Sequence, residues 1–250
     1  MKLDSSISAI VTSGASGRGA ATCAHLAELG VNVFACDLAE PVEVIPGVTY
    51  LNVDVTDYSQ VEAAVAQANA TAALRLVVNC AGICPSQRIV ARKGPHDPAL
   101  FAKTININLN GTFNVLTAGA AAIATHDPVD EDGQRGVIIN TASVAAFEGQ
   151  IGQAAYAASK GGVYALAITA ARDLAGLGIR VNAIAPGIVE TPMMASISDE
   201  YRSELESLVQ FPKRMAKPQE YAQLVEAIAT NNYLNGETIR IDGALRMPPR

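Results

Sequence analysis

The sequence predicts a doubly wound α/β fold, a single domain spanning residues 1–250 in which a parallel seven-stranded sheet carries helices on both faces. Three observations support this. Short apolar runs alternate with longer stretches of helical periodicity from the first residues to the last, the pattern of a sheet covered on both sides. A glycine-rich segment lies between the first apolar run and the first helical stretch. The chain has 250 residues, 50% of them hydrophobic, enough to enclose a sizeable core, and no internal linker interrupts it.

Taken in order, Ser8 to Thr12 reads as the first strand, Gly14 to Gly19 as a loop, and Ala20 to Leu29 as a helix stopped by Gly30. Asn32 to Asp37 and Thr49 to Val53 are the second and third strands. Ser59 with Glu62 forms a capping-box pattern opening a helix whose Val61, Ala64, Val65 and Ala68 share one face. Leu76 to Asn79 is the fourth strand. Pro85 to Pro98 lacks periodicity and reads as a surface loop, followed by an Asn-rich helix and an acidic loop, His126 to Gly136. Val137 to Thr141 is a strand, Gln153 to Leu174 a long helix, and Arg180 to Ala185 and Glu237 to Asp242 are the last two strands. This is the order of a Rossmann-type sheet.

Composition narrows the function classes. The 18 basic and 24 acidic residues give a net charge of -6 with no block of like charge, which argues against nucleic acid as a partner and for small-molecule chemistry. Met1-Lys2-Leu3-Asp4 leads directly into strand-like sequence, so the expectation is a cytoplasmic protein without a leader peptide. Thr104 to His126 is uncharged and long enough to cross a bilayer, but Asn106, Asn108, Asn110 and Asn114 interrupt it, so a buried helix and no membrane partner are expected. Cys23, Cys36, Cys80 and Cys84 are scattered in apolar surroundings away from His25, His96 and His126. Buried thiols are expected there, not a metal site or a disulfide framework.

Three places carry chemistry. Ser13, Gly14, Ser16, Gly17, Arg18 and Gly19 lie in the strand-to-helix segment, where small residues let backbone approach a pyrophosphate. Alone, such a loop is also an ordinary turn. Asp37, ending the second strand about twenty residues on, adds a carboxylate suited to ribose hydroxyls and repellent to a 2′-phosphate, which favours NAD over NADP. Arg18 beside the loop could contact phosphate of either cofactor. Asp54 is placed to bond an adenine amino group or to act as a helix N-terminal charge.

Tyr156 and Lys160, four apart, share one helix face. A free phenol ionises near ~10, and a cation ~4 Å away at an effective dielectric of ~20 contributes ~4 kcal/mol toward ionising it nearer neutrality. Ser143 stands two residues past a strand end, at the sheet edge where ligands of open α/β folds bind, although a serine there also commonly caps a turn.

The glycine-rich loop, Asn79-Cys80-Ala81-Gly82, Ser143, Tyr156 with Lys160, and Pro186-Gly187 together resemble the short-chain dehydrogenase/reductase family over essentially the whole chain. Gly133 to Gly162 and Asn235 to Met247, with the loops at Pro85 to Pro98 and His126 to Gly136, are similar to its type II 3-hydroxyacyl-CoA dehydrogenases, also described as type 10 17β-hydroxysteroid dehydrogenases. The resemblance implies Tyr156 as general acid/base and Lys160 as the group that lowers its pKa and holds the nicotinamide ribose. It implies Ser143 as the carbonyl-orienting hydroxyl, Asn108 as the residue positioning a relay water, and Gln150 as a substrate contact. Ser16, Arg18, Asp37, Asp54, Val55, Cys80, Ala81, Gly82, Pro186, Val189 and Thr191 match cofactor contacts.

Two residues depart from the family pattern. Ser13 replaces a glycine, which tightens the turn or excludes a positive φ there, and Arg18 replaces an aliphatic residue. The resemblance also implies a homotetramer, to which the small residues of the long helix, including Gly161 and Gly162, are suited.

The expected reaction is interconversion of a 3-hydroxyacyl-CoA and its 3-oxoacyl-CoA with NAD, the thioester phosphates meeting Arg88, Arg92 and Lys93 or Lys213, Arg214 and Lys217. Reduction of 3-oxoacyl thioesters for biosynthesis and oxidation of a hydroxysteroid or other secondary alcohol use the same apparatus. A non-catalytic cofactor-binding scaffold is the alternative from another class.

Overall fold

The computed structural model describes residues 1–191 and 198–249. Its sheet elements are β1 (Ile7–Thr12), β2 (Asn32–Asp37), β3 (Val48–Asn52), β4 (Ala73–Asn79), β7 (Gly136–Thr141), β8 (Ile179–Pro186) and β9 (Thr238–Ile241), with a small hairpin, β5 (Val90–Ala91) and β6 (Gly94–Pro95), between β4 and β7. The helices are α1 (Gly17–Glu28), α2 (Tyr58–Thr71), α3 (Pro98–Ile105), α4 (Gly111–Ala124), α5 (Ala154–Leu174), α6 (Asp199–Ser207) and α7 (Pro218–Thr230). The seven-stranded sheet has the order β3-β2-β1-β4-β7-β8-β9, with every pairing parallel. Among the described residues no helix is long and apolar enough to cross a membrane.

Period-two alternation along the strands divides the core between the two faces of the sheet. On β1, Ile10 joins a cluster with Val65, Val77 and Leu116, beneath α2 and α4. Its neighbours Ala9 and Val11 join Leu26, Tyr221 and Ile228, beneath α1 and α7. Burying each large aliphatic side chain stabilises the fold by about 1.5–3 kcal/mol.

The chain runs from β1 outward to β2 and β3, then crosses to β4 on the other side of β1. The carboxyl ends of β1 and β4 therefore flank the point where the strand order reverses, and loops diverging there open a crevice.

Several boundaries differ from the sequence expectation. Helix α1 begins at Gly17 instead of Ala20, so three residues expected in the loop form its first turn. Helix α2 is capped by Asp57, which accepts from Ser59 N and Gln60 N at 3.0 and 3.3 Å, and Ser59 with Glu62 does not form the expected box. A carboxylate two residues earlier caps the free amides of the first turn instead. The expected face of α2, Val61, Ala64, Val65 and Ala68, is the buried one. Between α3 and α4, Asn106 to Asn110 forms a π-helical turn. Cys84 is exposed, against the expectation for all four thiols, whereas burial pushes Cys36 up to about 12.

Candidate active site

The turn between β1 and α1 is shaped by backbone demands. Ser13 adopts φ +56°, so of the two outcomes expected for it, a tightened turn or an excluded positive φ, the second does not hold; its Cβ costs ~1–2 kcal/mol there relative to an unstrained residue. At Gly19 a Cβ would lie 2.0 Å from the Ser13 carbonyl oxygen, so only glycine lets the first helical turn close on the loop. At Gly14 a Cβ would meet the Ala35 Cβ at 2.6 Å, which brings the loop down on β2. Ser16 caps α1 without a side-chain hydrogen bond, and no acidic side chain stands in its first turn. These first-turn amides suit an external anion.

The loop after β4 is tied to this turn by Thr12, whose Oγ1 accepts from Cys80 N at 2.9 Å and Ala81 N at 3.0 Å. Asn108, on the π-helical turn and fully buried, clamps the same loop. Its Oδ1 accepts from Ile83 N at 2.8 Å, and its Nδ2 donates to Ile83 O at 2.9 Å and Ser159 Oγ at 3.0 Å. Its side chain is thus committed to protein groups, and its carbonyl accepts from Thr112 Oγ1 at 2.8 Å. Gly82 packs so closely that an added Cβ would lie 3.1 Å from Asn108 Oδ1.

Helix α5 presents Tyr156 and Lys160 to a cleft of about 340 Å³ whose walls also include Ser13, Ser16, Gly17, Arg18, Gly19, Cys80, Gly82 and Thr191. Lys160 is 3% exposed and donates from Nζ to Thr141 O at 2.7 Å. Burial, then the nearby Arg18 charge, pushes it down to about 7. Its Nζ lies 5.9 Å from the centre of the Tyr156 ring.

The Tyr156 phenol is held above its ordinary value, not below it as the spacing suggested. Burial raises it most and Cys84 adds to this, against a Ser143 hydrogen bond and the Arg18 charge. Ser143 fills the capping role foreseen as its alternative, its Oγ accepting from Ala145 N at 3.1 Å at the start of a short 3-10 turn, and it also shares a hydrogen bond with Tyr156.

Arg18 lines the same cleft as Tyr156 and Lys160. Its guanidinium carbon lies 6.0 Å from the centre of the Tyr221 ring, and its Nε is buried without a hydrogen-bond partner. Tyr221, from α7, bonds Thr141 Oγ1 through its hydroxyl at 2.7 Å. Sequence reasoning missed Thr12, Thr141 and Tyr221. The apolar face of α7, with Ala222, Val225, Ile228 and Ala229 buried, was a readable signal for that helix, but not for the hydroxyl contact.

A second hollow, of about 580 Å³, shares Ser13, Gly82 and Ile83 with the first and is lined also by Asp37, Asp54, Val55, Ala81 and Lys103. Asp37 Oδ2 accepts from Ala15 N at 3.1 Å and Oδ1 from Ala39 N at 3.1 Å, which fixes the carboxylate beside the turn. Asp54 Oδ1 accepts from Thr56 N and Oγ1, both at 2.8 Å, a local turn. Pro186 ends β8 and Val189 is buried beyond it, paired with Ala216.

Gln150 is not brought to Tyr156. It opens into a separate hollow with Arg88, Ile89 and Val90, and its amide donates to Pro248 O at 3.4 Å. Of the two cationic clusters, Arg214 is tied bidentately to Glu220 at 2.8 and 2.7 Å, whereas Arg88, Arg92 and Lys93 are exposed and make no ion pair among the described residues.

Comparison with known proteins agrees with this geometry. Residues 8–202 match the short chain dehydrogenase family. The chain is 45% identical over 250 residues to 3-hydroxyacyl-CoA dehydrogenase type-2 of Bos taurus, covering 96% of this chain and 95% of that protein. It is 46% identical over 249 residues to the Drosophila melanogaster protein of the same name, covering 96% and 97%. A crystal structure of 3-hydroxyacyl-CoA dehydrogenase type-2 from Mycobacterium avium superimposes with a TM-score of 0.93 at 43% identity, covering 100% of each chain.

Proposed function

Since the chain belongs to the short chain dehydrogenase family and is an oxidoreductase, we propose that it interconverts a 3-hydroxyacyl-CoA and its 3-oxoacyl-CoA with NAD, as one unit spanning the whole chain and assembled as a homotetramer. The observation that supports this most is the convergence of Tyr156, bonded to Ser143, and Lys160 on one cleft whose walls include the first turn of α1, where Ser16 caps without a side-chain hydrogen bond. A dinucleotide fits the residues present. The amides of Gly17, Arg18 and Gly19 suit its diphosphate, the glycine cradle lets backbone approach it, and the Asp37 carboxylate suits ribose hydroxyls while repelling a 2′-phosphate. When bound, the dinucleotide supplies the hydride acceptor or donor and, in its oxidised form, a positive charge.

The chain's own residues manage the proton. The Tyr156 phenol, neutral in the free protein, donates to the carbonyl oxygen during reduction and takes the proton back during oxidation. Ser143 Oγ holds that oxygen in line with the phenol. Lys160, fixed on Thr141 O, places its ammonium beside the phenol and the ribose. The exposed Arg88, Arg92 and Lys93 group, beside the Gln150 hollow, meets the thioester phosphates; Arg214 is already engaged by Glu220. Tyr164 and Ile168 are exposed on α5 beside its small residues, which suits a second copy packing there.

Steady-state reduction of acetoacetyl-CoA with NADH tests the substrate class. A kcat/KM at least a hundredfold above that for a short ketone without the CoA group is expected, and equal values would end the assignment.

A further inference from the structure

Arg18 is the one residue of the cleft whose charge nothing in the proposed reaction uses. It stands on the Tyr156 and Lys160 side of the crevice and is not among the residues lining the hollow that contains Asp37. It is therefore not placed to read a 2′-phosphate. Its Nε is buried with no partner, its charged end lies over Tyr221, and it forms no ion pair among the described residues. Among the described residues no Asp or Glu lines the cleft. Lys160 brings a second cationic group to the same walls, so two basic groups face one small volume without a counter-ion.

From this arrangement, and resting on the nicotinamide reading above, we infer that Arg18 makes the site discriminate between redox states of its dinucleotide, holding the reduced form more tightly than the oxidised one. The two forms share adenosine, both riboses and the diphosphate, and differ in charge only at the nicotinamide ring. That ring is positive when oxidised and neutral when reduced. Because hydride transfer requires it beside Tyr156, it enters the cleft that Arg18 makes positive, where repulsion between like charges grows as the local dielectric falls. Screening by water through the cleft mouth moderates the effect to about five- to tenfold in relative affinity. The influence of the guanidinium at this end also shows on Lys160, whose proton it helps to displace after burial.

The test is calorimetric titration of the full chain with NADH and with NAD at moderate salt, for the wild type and for Arg18→Leu and Arg18→Gln; the second keeps a polar side chain should the first fail to fold. The expected result is a wild-type Kd for NAD well above that for NADH, with the ratio falling about five- to tenfold in both variants, chiefly through tighter NAD binding. If both forms lose affinity equally in the variants, the guanidinium serves the shared diphosphate and the inference is overturned. An unchanged ratio with unchanged affinities overturns it too. If the wild type binds neither form, the nicotinamide reading itself fails, a result distinct from either of these.

Discussion

The Lys160 ammonium on α5 donates to the main-chain carbonyl of Thr141 on β7 at 2.7 Å, so the cation is anchored to the sheet and not to the phenol one helical turn away. A lysine held this deeply costs the fold stability. Its proton is bound less firmly when folded, with a pKa of about 7, than in the unfolded chain, where it is near ~10.4. Between those values the unfolded state binds more protons, so this group makes stability rise with pH across the window and penalises folding fully below about 7.

Lys160→Met is expected to melt at a higher temperature than the wild type at pH 6 and to lose turnover. The gap should narrow as pH rises from 7 toward 10. A variant that melts lower at every pH would show that the bond to Thr141 outweighs the burial of the charge.

Tyr156→Phe removes only the hydroxyl. Turnover should fall by at least ~100-fold, the usual scale of a lost general acid, while NADH affinity stays within about threefold. Single-turnover absorbance of NADH separates the two effects, and preserved turnover would remove the phenol from the mechanism.

Asn108→Leu leaves Ile83 N and Ile83 O without their partner inside the protein and removes a donor to Ser159 Oγ, which keeps its bond to Tyr156 O. A buried polar group stripped of its bond costs about 1–3 kcal/mol. Urea denaturation should therefore show a loss of at least ~2 kcal/mol, together with a weaker hold on dinucleotide as the loop after β4 loosens. A loss of activity with full stability would instead favour a role in proton relay alone.

Glu148 accepts from Arg240 at 2.7 Å and from Met247 N at 2.9 Å, which together hold its carboxyl below its ordinary value. A depressed carboxylate contributes stability that is present above its unfolded value, near ~4.3, and lost as pH falls through the folded one. Thermal melts at pH 7 and pH 3.5 should show a smaller acid-induced drop in Glu148→Gln than in the wild type. Equal drops would mean that other carboxylates dominate acid lability.

The sheet was legible because its strands are short apolar runs, Val137 to Thr141 and Arg180 to Ala185 among them, separated by segments with helical spacing. Tyr156 and Lys160 were legible as a pair for the same reason: spacing of four is visible in the chain. What spacing could not convey is depth. The direction of the Tyr156 shift depends on desolvation by surrounding elements, and the bond between Thr141 and Tyr221 joins positions 80 apart in sequence. Helix α6, with Asp199 and Glu200 in its first turn, has no apolar stripe strong enough to announce it. Of the two outcomes open for Ser13, a tightened turn or an excluded positive φ, the second does not hold, because residue preference alone does not set φ where the turn packs closely on Gly19.

The wide turn at Asn106 to Asn110 has a consequence for how this protein can change over evolutionary time. Each residue of an α-helix rotates the next by about 100°, whereas a π turn takes up one extra residue as a local bulge within a continuing helix. Upstream, α3 leans on α5, while downstream α4 lies against α2 and β4. Deleting one residue there would take Asn108 out of step with Ile83 and Ser159, or swing α4's buried Val115 and Ile123 out of their seats if the turn kept its shape, so a change of length is resisted, and so is replacement of Asn108 itself.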